Sequence, residues 1–519
     1  MIGGPAVATF DYTIPARSGE VLIAPGLDRV PGLLAASQAA GWDGVEILGV
    51  PLSVFRRQVR ERTLRLAAEY TGTNAPDPAR ALVVMGHQPV LFHPGVWVKY
   101  FLLTRITRDA HTTGLHLVCD TDATGPAAVE VPLHRDRFVR VHETLLDLAD
   151  DVPLETAPVP GAAAWSGFLD RVRGDLRTVP LAELVGRVDA WAEGAEAARD
   201  SRHLGEFLAR LRWQYESRAG TPRYLEVSMA ALAETPEFRA FALHLLREPD
   251  AMRGSFNKQL EAYRRARRLR SAANPFPNLA EEGGWTEAPF WTLSRGRRSQ
   301  LYVSRAGGNL RFAAPSGVIA TVPADASGVE VLTGVPLRPK AMTLTMFARL
   351  CLGDLFVHGV GGGRYDRVTD AITRDLFGCS PTPYLVATAT LHLPLPTEAS
   401  GEERRALQRL QSDFRHNPDR HFAEVTGAQR RLVNEKWSLI RTVEAMRPGP
   451  ARREVTRRIR EINAELAAQL APEIERVDAR LIELGEADAS GAAGYREYPY
   501  FLFDPAEVAS LVAAPVLAG

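Results

Sequence analysis

The stretch Val83–Lys99, VVMGHQPVLFHPGVWVK, decides how this 519-residue chain folds. The apolar run Ala81-Leu82-Val83-Val84-Met85 stops at Gly86, and a polar turn carrying His87, Gln88 and His93 follows. Pro94 and Gly95 then open an amphipathic segment, Val96 to Ile106. The local grammar is strand, loop, helix: an unbroken apolar run suits a strand buried on both faces, and proline suits a first helical turn. A second run, Leu115-His116-Leu117-Val118-Cys119, enters Asp120-Thr121-Asp122-Ala123-Thr124-Gly125-Pro126. Strand, helix, strand at this spacing predicts a parallel pair with a right-handed crossover, and hence an α/β sheet with both strand ends at one edge. Helix N-termini at such an edge present free N–H groups to anions. His87, His93, Asp120 and Asp122 are the candidate catalytic residues there, with Gly86 and Gln88 beside them. The alternative is a plain connection whose histidines bond the backbone and whose aspartates cap turns.

Composition narrows the class. Lys+Arg and Asp+Glu balance at 62 each, so no net positive field recruits nucleic acid or an acidic membrane. No run approaches the length of a membrane span, and the N-terminal residues lack a basic segment followed by an apolar one. Cys119, Cys351 and Cys379 are few and far apart, against both a disulfide scaffold and a CxxC metal or redox site. A reduced, cytoplasmic protein without membrane or nucleic-acid partners is the expectation. The lysines are only Lys99, Lys258, Lys340 and Lys436, so a mechanism needing lysine has four candidates.

Along the chain, residues 1–43 alternate apolar pieces with Pro and Gly and read as a surface wrap, and Pro51–Tyr70 reads as a helix. Residues 127–145 read as further strands, Trp165–Arg247 as mainly helical, and Tyr224–Val227 as one more buried strand. A basic helix, Phe256–Arg270, leads into ANPFPNLAEEGGWTEAPFWTL at 273–293, read as a loop. Its aromatics make either a ligand-binding lid or a plug over the core. Leu301–Val303, Leu310–Phe312 and Val318–Ala320 read as an antiparallel meander. In the segment 337–378, Ala341–Leu352 reads as a helix, Leu355–His358 as a buried strand and Tyr365–Phe377 as a helix. Between the last two, Gly359-Val360-Gly361-Gly362-Gly363-Arg364 reads as a glycine-rich loop, neither a Walker A loop nor a GxGxxG fingerprint. It is either an anion or substrate loop or a tight turn. Residues 402–484 are long charged helices, with Val455, Ile459, Ile462, Leu466 and Leu470 in steps of four and three, as in a coiled-coil seam or a helical hairpin. Whether such an arm pairs two chains as a homodimer or folds back on one is open. The tail Tyr495–Val512 is aromatic enough to dock on the main body.

The order of these parts resembles the bacillithiol biosynthesis cysteine-adding enzyme family. Gly86-His87-Gln88 with Pro94-Gly95 is similar to that family's Gly-Gln-Gln or Gly-His-Gln loop and helix start. Asp120-Thr121-Asp122 followed by Val129-Glu130-Val131 sits where the family has its acidic stretch, here without the family's histidine. Leu337-Arg338-Pro339, Val357–Gly363 and Tyr365 are similar to its Leu-Arg-Pro helix and glycine-rich loop, here without the following proline. Lys99 falls near the family's helix lysine. The resemblance implies a Rossmann-like, nucleotidyltransferase-like parallel-sheet core with inserted helical segments and a C-terminal helical coiled-coil arm. It divides the chain into a first half of the core (1–160), inserted helical and small β segments (161–335), a second half of the core with the glycine-rich loop (336–400), the arm (401–490) and the tail (491–519).

It also implies a ligase that joins an amino acid, cysteine, to an amino sugar, glucosaminyl malate, with ATP as the candidate nucleotide. On that reading His87 and His93 meet developing negative charge or shuttle a proton, and Asp120 or Asp122 holds the amine. Gly86, Gln88, Arg338, Gly361, Gly362, Gly363 and Tyr365 bind substrate. Two other readings stand beside it: nucleotidyl transfer to another small substrate, and a non-catalytic binding or scaffold protein with a vestigial pocket. A metal held by His87, His93, Asp120 and Asp122 matches no strong spacing motif, so no metal site is assigned.

Overall fold

The computed structural model describes residues 12–42, 44–108, 111–135, 138–267, 276–395, 401–422, 424–444, 446, 450–487 and 491–513. The chain forms two compact units. One comprises Met1–Val131, Val141–Leu393 and Arg496–Gly519, and the other Pro132–Arg140 and Pro394–Tyr495.

In chain order, the first unit contains strand Val21–Ala24 (β1), helix Leu52–Thr71 (α1), strand Ala81–His87 (β2), helix Pro94–Ile106 (α2) and strand Thr112–Val118 (β3). Helix Leu204–Glu216 (α3), strand Leu225–Ser228 (β4) and helix Pro249–Arg267 (α4) follow. Five strands come next: Trp285–Ser294 (β5), Arg297–Ala306 (β6), Asn309–Ala314 (β7), Gly317–Pro323 (β8) and Leu337–Pro339 (β9). Helix Ala341–Phe347 (α5), strand Leu355–His358 (β10), helix Val360–Phe377 (α6) and strand Tyr384–Ala389 (β11) complete the frame.

The central sheet runs β1-β11-β10-β2-β3-β4. All neighbours pair parallel except β1, which runs antiparallel to β11. Counting the parallel strands alone, the order is 3-2-1-4-5, the order of a doubly wound sheet. The chain is thus a mixed α/β protein built on a parallel sheet. Residues Ala81 to Met85 are all buried, as the middle strand of a sheet covered on both faces requires. β2 and β3 pair from Ala81↔Thr112 to His87↔Val118, so the expected parallel pair forms and both ends reach the same edge. The order reverses between β2 and β10, so the crevice beyond their carboxyl ends is the switch point where such sheets take ligands.

A second, antiparallel sheet runs β8-β7-β6-β5-β9. This corrects the reading of 273–293 as one loop: Trp285–Ser294 is its longest strand with β6, and Phe290 is fully buried. Part of that stretch, 273–275, lies outside the described residues. The glycine-rich segment is also corrected. It is no loop, because α6 begins at Val360 with Gly359 as N-cap and Gly361–Gly363 in the first turn. The expected helix 341–352 ends as a wider π turn, Ala348–Leu352.

The tail belongs to the first unit. Trp191 Nε1 donates to the Tyr500 hydroxyl (2.9 Å), and the Trp191 and Phe501 rings stack 4.2 Å apart. No helix among the described residues is long and apolar enough to cross a membrane.

The second unit is helical: Gly401–His416 (α7), Gly427–Glu444 (α8), Pro450–Ala467 (α9) and Ala471–Ala487 (α10). A 3-10 turn at Ala468–Leu470, just ahead of Pro472, separates α9 from α10. α7 packs on α10 and α8 on α9. Phe414, Leu470 and Val477 form its apolar cluster, and Lys436 is buried with its ammonium on the His416 carbonyl and Asp419.

Candidate functional site

A cavity of about 710 Å³ opens at the switch point. Gly86, His87, Gln88, His93, Asp122, Gly361, Gly362 and Tyr365 line it, as do Lys99, Arg298, His358 and Arg496. Its volume is that of a small-molecule site.

The two histidines, one ending β2 and one starting α2, are half-buried, neutral and in opposite tautomers. His87 Nδ1 lies 2.8 Å from the Gln88 carbonyl oxygen, which only accepts, so Nδ1 carries the proton and Nε2 keeps its lone pair. His93 is the N-cap of α2, and its Nδ1 accepts from Gly95 N–H (3.1 Å), which leaves the proton on Nε2. Burial, then the Lys99 ammonium, hold the His87 pKa well below the ordinary imidazole value. Burial, Arg496 and Lys99 push His93 down to about 4. One ring therefore offers an acceptor and the other a donor at neutral pH.

Two cations without carboxylate partners stand at the helix starts. Lys99 is 3% exposed, and among the described residues its ammonium makes no hydrogen bond or ion pair; burial lowers its pKa to about 8. Its Nζ lies 3.9 Å from where a Cβ on Gly359, the N-cap of α6, would stand. Arg496 donates to the Ala389 carbonyl (2.9 Å) and the Thr388 hydroxyl (3.3 Å), its buried Nε has no partner, and no carboxylate pairs with it among the described residues. Its Nη2 crowds the first turn of α2, 2.5 Å from where a Gly95 Cβ would be, and the Ala389 carbonyl would be 2.6 Å away. Glycine is required at 95 by this close approach, where the α2 start crosses the end of β11. Two helix N-termini and two unpaired cations thus converge on one corner, an arrangement suited to an anion.

The acidic side is already partnered. Gln88 Nε2 donates to Asp122 Oδ2 (2.7 Å), and Arg298 pairs with Oδ1 of the same carboxylate. Lys340 pairs with Glu287 (2.6 Å), and the Lys340 and Arg298 cations both lie over the Trp291 ring. His358, at the end of β10, is held through Nε2 by Asp366 (2.7 Å), which Arg349 fixes in turn (2.6 Å). Burial opposes the Asp366 charge, but Arg349 and His358 outweigh it and hold its pKa at about 2.

Three of the expected site residues do not line the cavity. Asp120 is 1% exposed and accepts from the Ser228 hydroxyl and Ala230 N–H, so it ties the end of β3 to the end of β4 and the start of the short helix Met229–Ala233. Burial raises its pKa to about 6. Arg338, on β9 rather than on a helix, makes a two-point ion pair with Glu155 (2.7 and 2.8 Å) and a third bond to Glu234 (2.6 Å). Its charge is spent inside the protein. Gly363 faces β11: a Cβ there would stand 2.2 Å from Val386 Cγ2, so the residue serves close packing.

No protein-family model matches the sequence, and no protein of curated function does. A solved tyrosyl-tRNA synthetase from Aeropyrum pernix is similar in structure, at 10% identity. The alignment covers 84% of this chain and 99% of that one with a TM-score of 0.21, which decides neither fold class nor chemistry.

Sequence reasoning missed Arg496, Arg298 and His358 as site residues, and placed Lys99 only among four candidate lysines, near a family lysine, without assigning it to the site. Lys99 had a signal, as a single charge inside the apolar helix run VWVKYF. Arg496 had none, because only the folded tail brings it to the sheet edge. Among the described residues no group of three or more His, Cys, Asp or Glu is placed to hold a metal.

Proposed function

We propose that this chain is a ligase-like enzyme that activates a carboxylic acid as a phosphate or adenylate and passes its acyl group to an amine. The observation that carries this reading is Lys99, a buried side chain whose ammonium reaches the cavity without a bonded partner among the described residues, beside two helix N-termini at the switch point. An uncompensated buried cation is costly, so a vestigial pocket has no reason to keep one, whereas an anion site does. The Rossmann-like, nucleotidyltransferase-like character of the core belongs to the same proposal and rests on the 3-2-1-4-5 strand order.

In the first step a carboxylate oxygen attacks the α-phosphorus of ATP, giving an adenylate as the P–O bond to the leaving pyrophosphate breaks, or the γ-phosphorus, giving an acyl phosphate as the P–O bond to the leaving ADP breaks. In the second, the amine attacks the acyl carbon, the C–O bond to the phosphoryl group breaks, and one amine proton is lost. The residues divide this work by tautomer. His93 Nε2–H and the Lys99 and Arg496 cations stabilise charge on the phosphoryl and acyl oxygens. His87 Nε2 takes the amine proton, and Asp122, held by Gln88 and Arg298, accepts a hydrogen bond from the incoming amine. Cysteine and glucosaminyl malate are the substrates that the family resemblance proposes.

The test is purified protein incubated with cysteine, glucosaminyl malate and ATP, with products followed by mass spectrometry. A product heavier than the acceptor by one cysteinyl residue, lost in His87→Ala, supports the full reading. Pyrophosphate release from ATP that needs no carboxylic acid favours nucleotidyl transfer. No turnover of ATP with any acid sinks the ligase reading.

A further inference from the structure

The cavity is two-faced. Its cationic corner at Lys99 and Arg496 continues into a wall formed by Phe276, Trp291, Met342, Leu344 and Tyr365. That wall comes from segments inserted between β4 and β10, together with one residue of α6.

The wall is fixed in place. Asn257 both donates to the Leu279 carbonyl (2.9 Å) and accepts from Leu279 N–H (2.8 Å), while Arg264 bonds the Asn278 side chain and the Phe276 carbonyl. The Phe276 and Tyr365 rings meet edge to face with centroids 5.0 Å apart. Arg298 and Lys340, which hold Trp291, are themselves neutralised by Asp122 and Glu287. This end therefore presents aromatic and apolar surface whose charged neighbours are already paired. A ligand made only of hydroxyls and carboxylates would leave that apolar surface exposed to water, whereas a ring would cover it.

We propose that the site takes an amphiphilic anion: a phosphate or carboxylate group at Lys99 and Arg496, carried on an aromatic ring that packs against Phe276, Trp291, Met342, Leu344 and Tyr365. This rests on the anion-site reading above and deepens it. It assigns to the activated acid an apolar body, and so keeps the anion-site chemistry while replacing the cysteine that the family resemblance suggests.

The test measures binding of inorganic phosphate, ribose 5-phosphate and phenyl phosphate to the full chain by calorimetry at pH 7. Phenyl phosphate is expected to bind at least tenfold tighter than the other two. Phe276→Ser should remove that preference, and Lys99→Met should weaken all three together. If ribose 5-phosphate binds as tightly as phenyl phosphate to the wild type, the aromatic subsite is overturned while the anion corner stands. If none of the three binds the wild type, the anion corner itself fails. The wild-type series decides the matter even if the Phe276 variant does not fold.

Discussion

Replacing Lys99 by methionine should stabilise the fold and disable the site in one step. Lys99 is 3% exposed with no bonded partner among the described residues, and methionine keeps its length and most of its apolar contacts without the charge. A pKa lowered from 10.5 to about 8 corresponds to about 3 kcal/mol held against the folded state while the amine stays protonated in both states. The sign follows from proton linkage. Below pH 8 the wild type carries the full cost. Between pH 8 and 10.5 the folded protein has shed the proton and the unfolded chain has not, so wild-type stability rises with pH. Lys99→Met should therefore be more stable by up to about 3 kcal/mol at pH 7, with the gap closing toward pH 10.5. Denaturant titrations of both proteins at pH 7, 9 and 10.5 measure it. A variant less stable than wild type at pH 7, or a gap that ignores pH, would refute the claim that the ammonium is buried without compensation.

The other predictions concern residues whose roles the structure separates. Gly363→Ala drives a methyl into Val386 and should destabilise the fold by several kcal/mol, while Gly361→Ala, whose Cβ would meet only the Tyr365 hydroxyl at 3.8 Å, should stay within about 1 kcal/mol of wild type; melting curves of the pair show the contrast. Arg338→Ala strips a buried carboxylate, Glu155, of its partner and should cost about 3–5 kcal/mol, read by denaturant titration, while the folded fraction still binds phosphate. Tyr500→Phe leaves the buried Trp191 indole N–H without an acceptor and should cost about 1–3 kcal/mol without changing ligand affinity. Phosphate affinity should fall as pH rises through about 8, where Lys99 loses its proton, and the loss should be absent in Lys99→Met.

The parallel pair was legible because β2 and β3 are nearly unbroken apolar runs on either side of a helix opened by His93-Pro94-Gly95, and each signal is local. The glycine segment misled because three adjacent glycines weaken a helix by propensity alone. Here they are tolerated since a side chain at Gly362 or Gly363 would strike His358 or Val386, so tertiary packing overrides propensity. The stretch 273–293 was read as a loop because its prolines and carboxylates mask a strand, and its pairing with Arg297–Ala306 is visible only in the register. Arg338 looked like a ligand residue because sequence shows a charge and not its partners; Glu155 and Glu234 are distant in the chain. Arg496 was invisible for the converse reason, as its place beside Gly95 exists only after the tail has packed.

The chain has only four lysines, Lys99, Lys258, Lys340 and Lys436, so NMR of protein labelled with carbon-13 at lysine Cε resolves the group on which the account turns. One signal, absent from Lys99→Met, should titrate near pH 8 and shift to higher pKa when pyrophosphate is added, because a bound anion favours the ammonium. A Lys99 signal that titrates near 10.5 and ignores pyrophosphate would contradict the account.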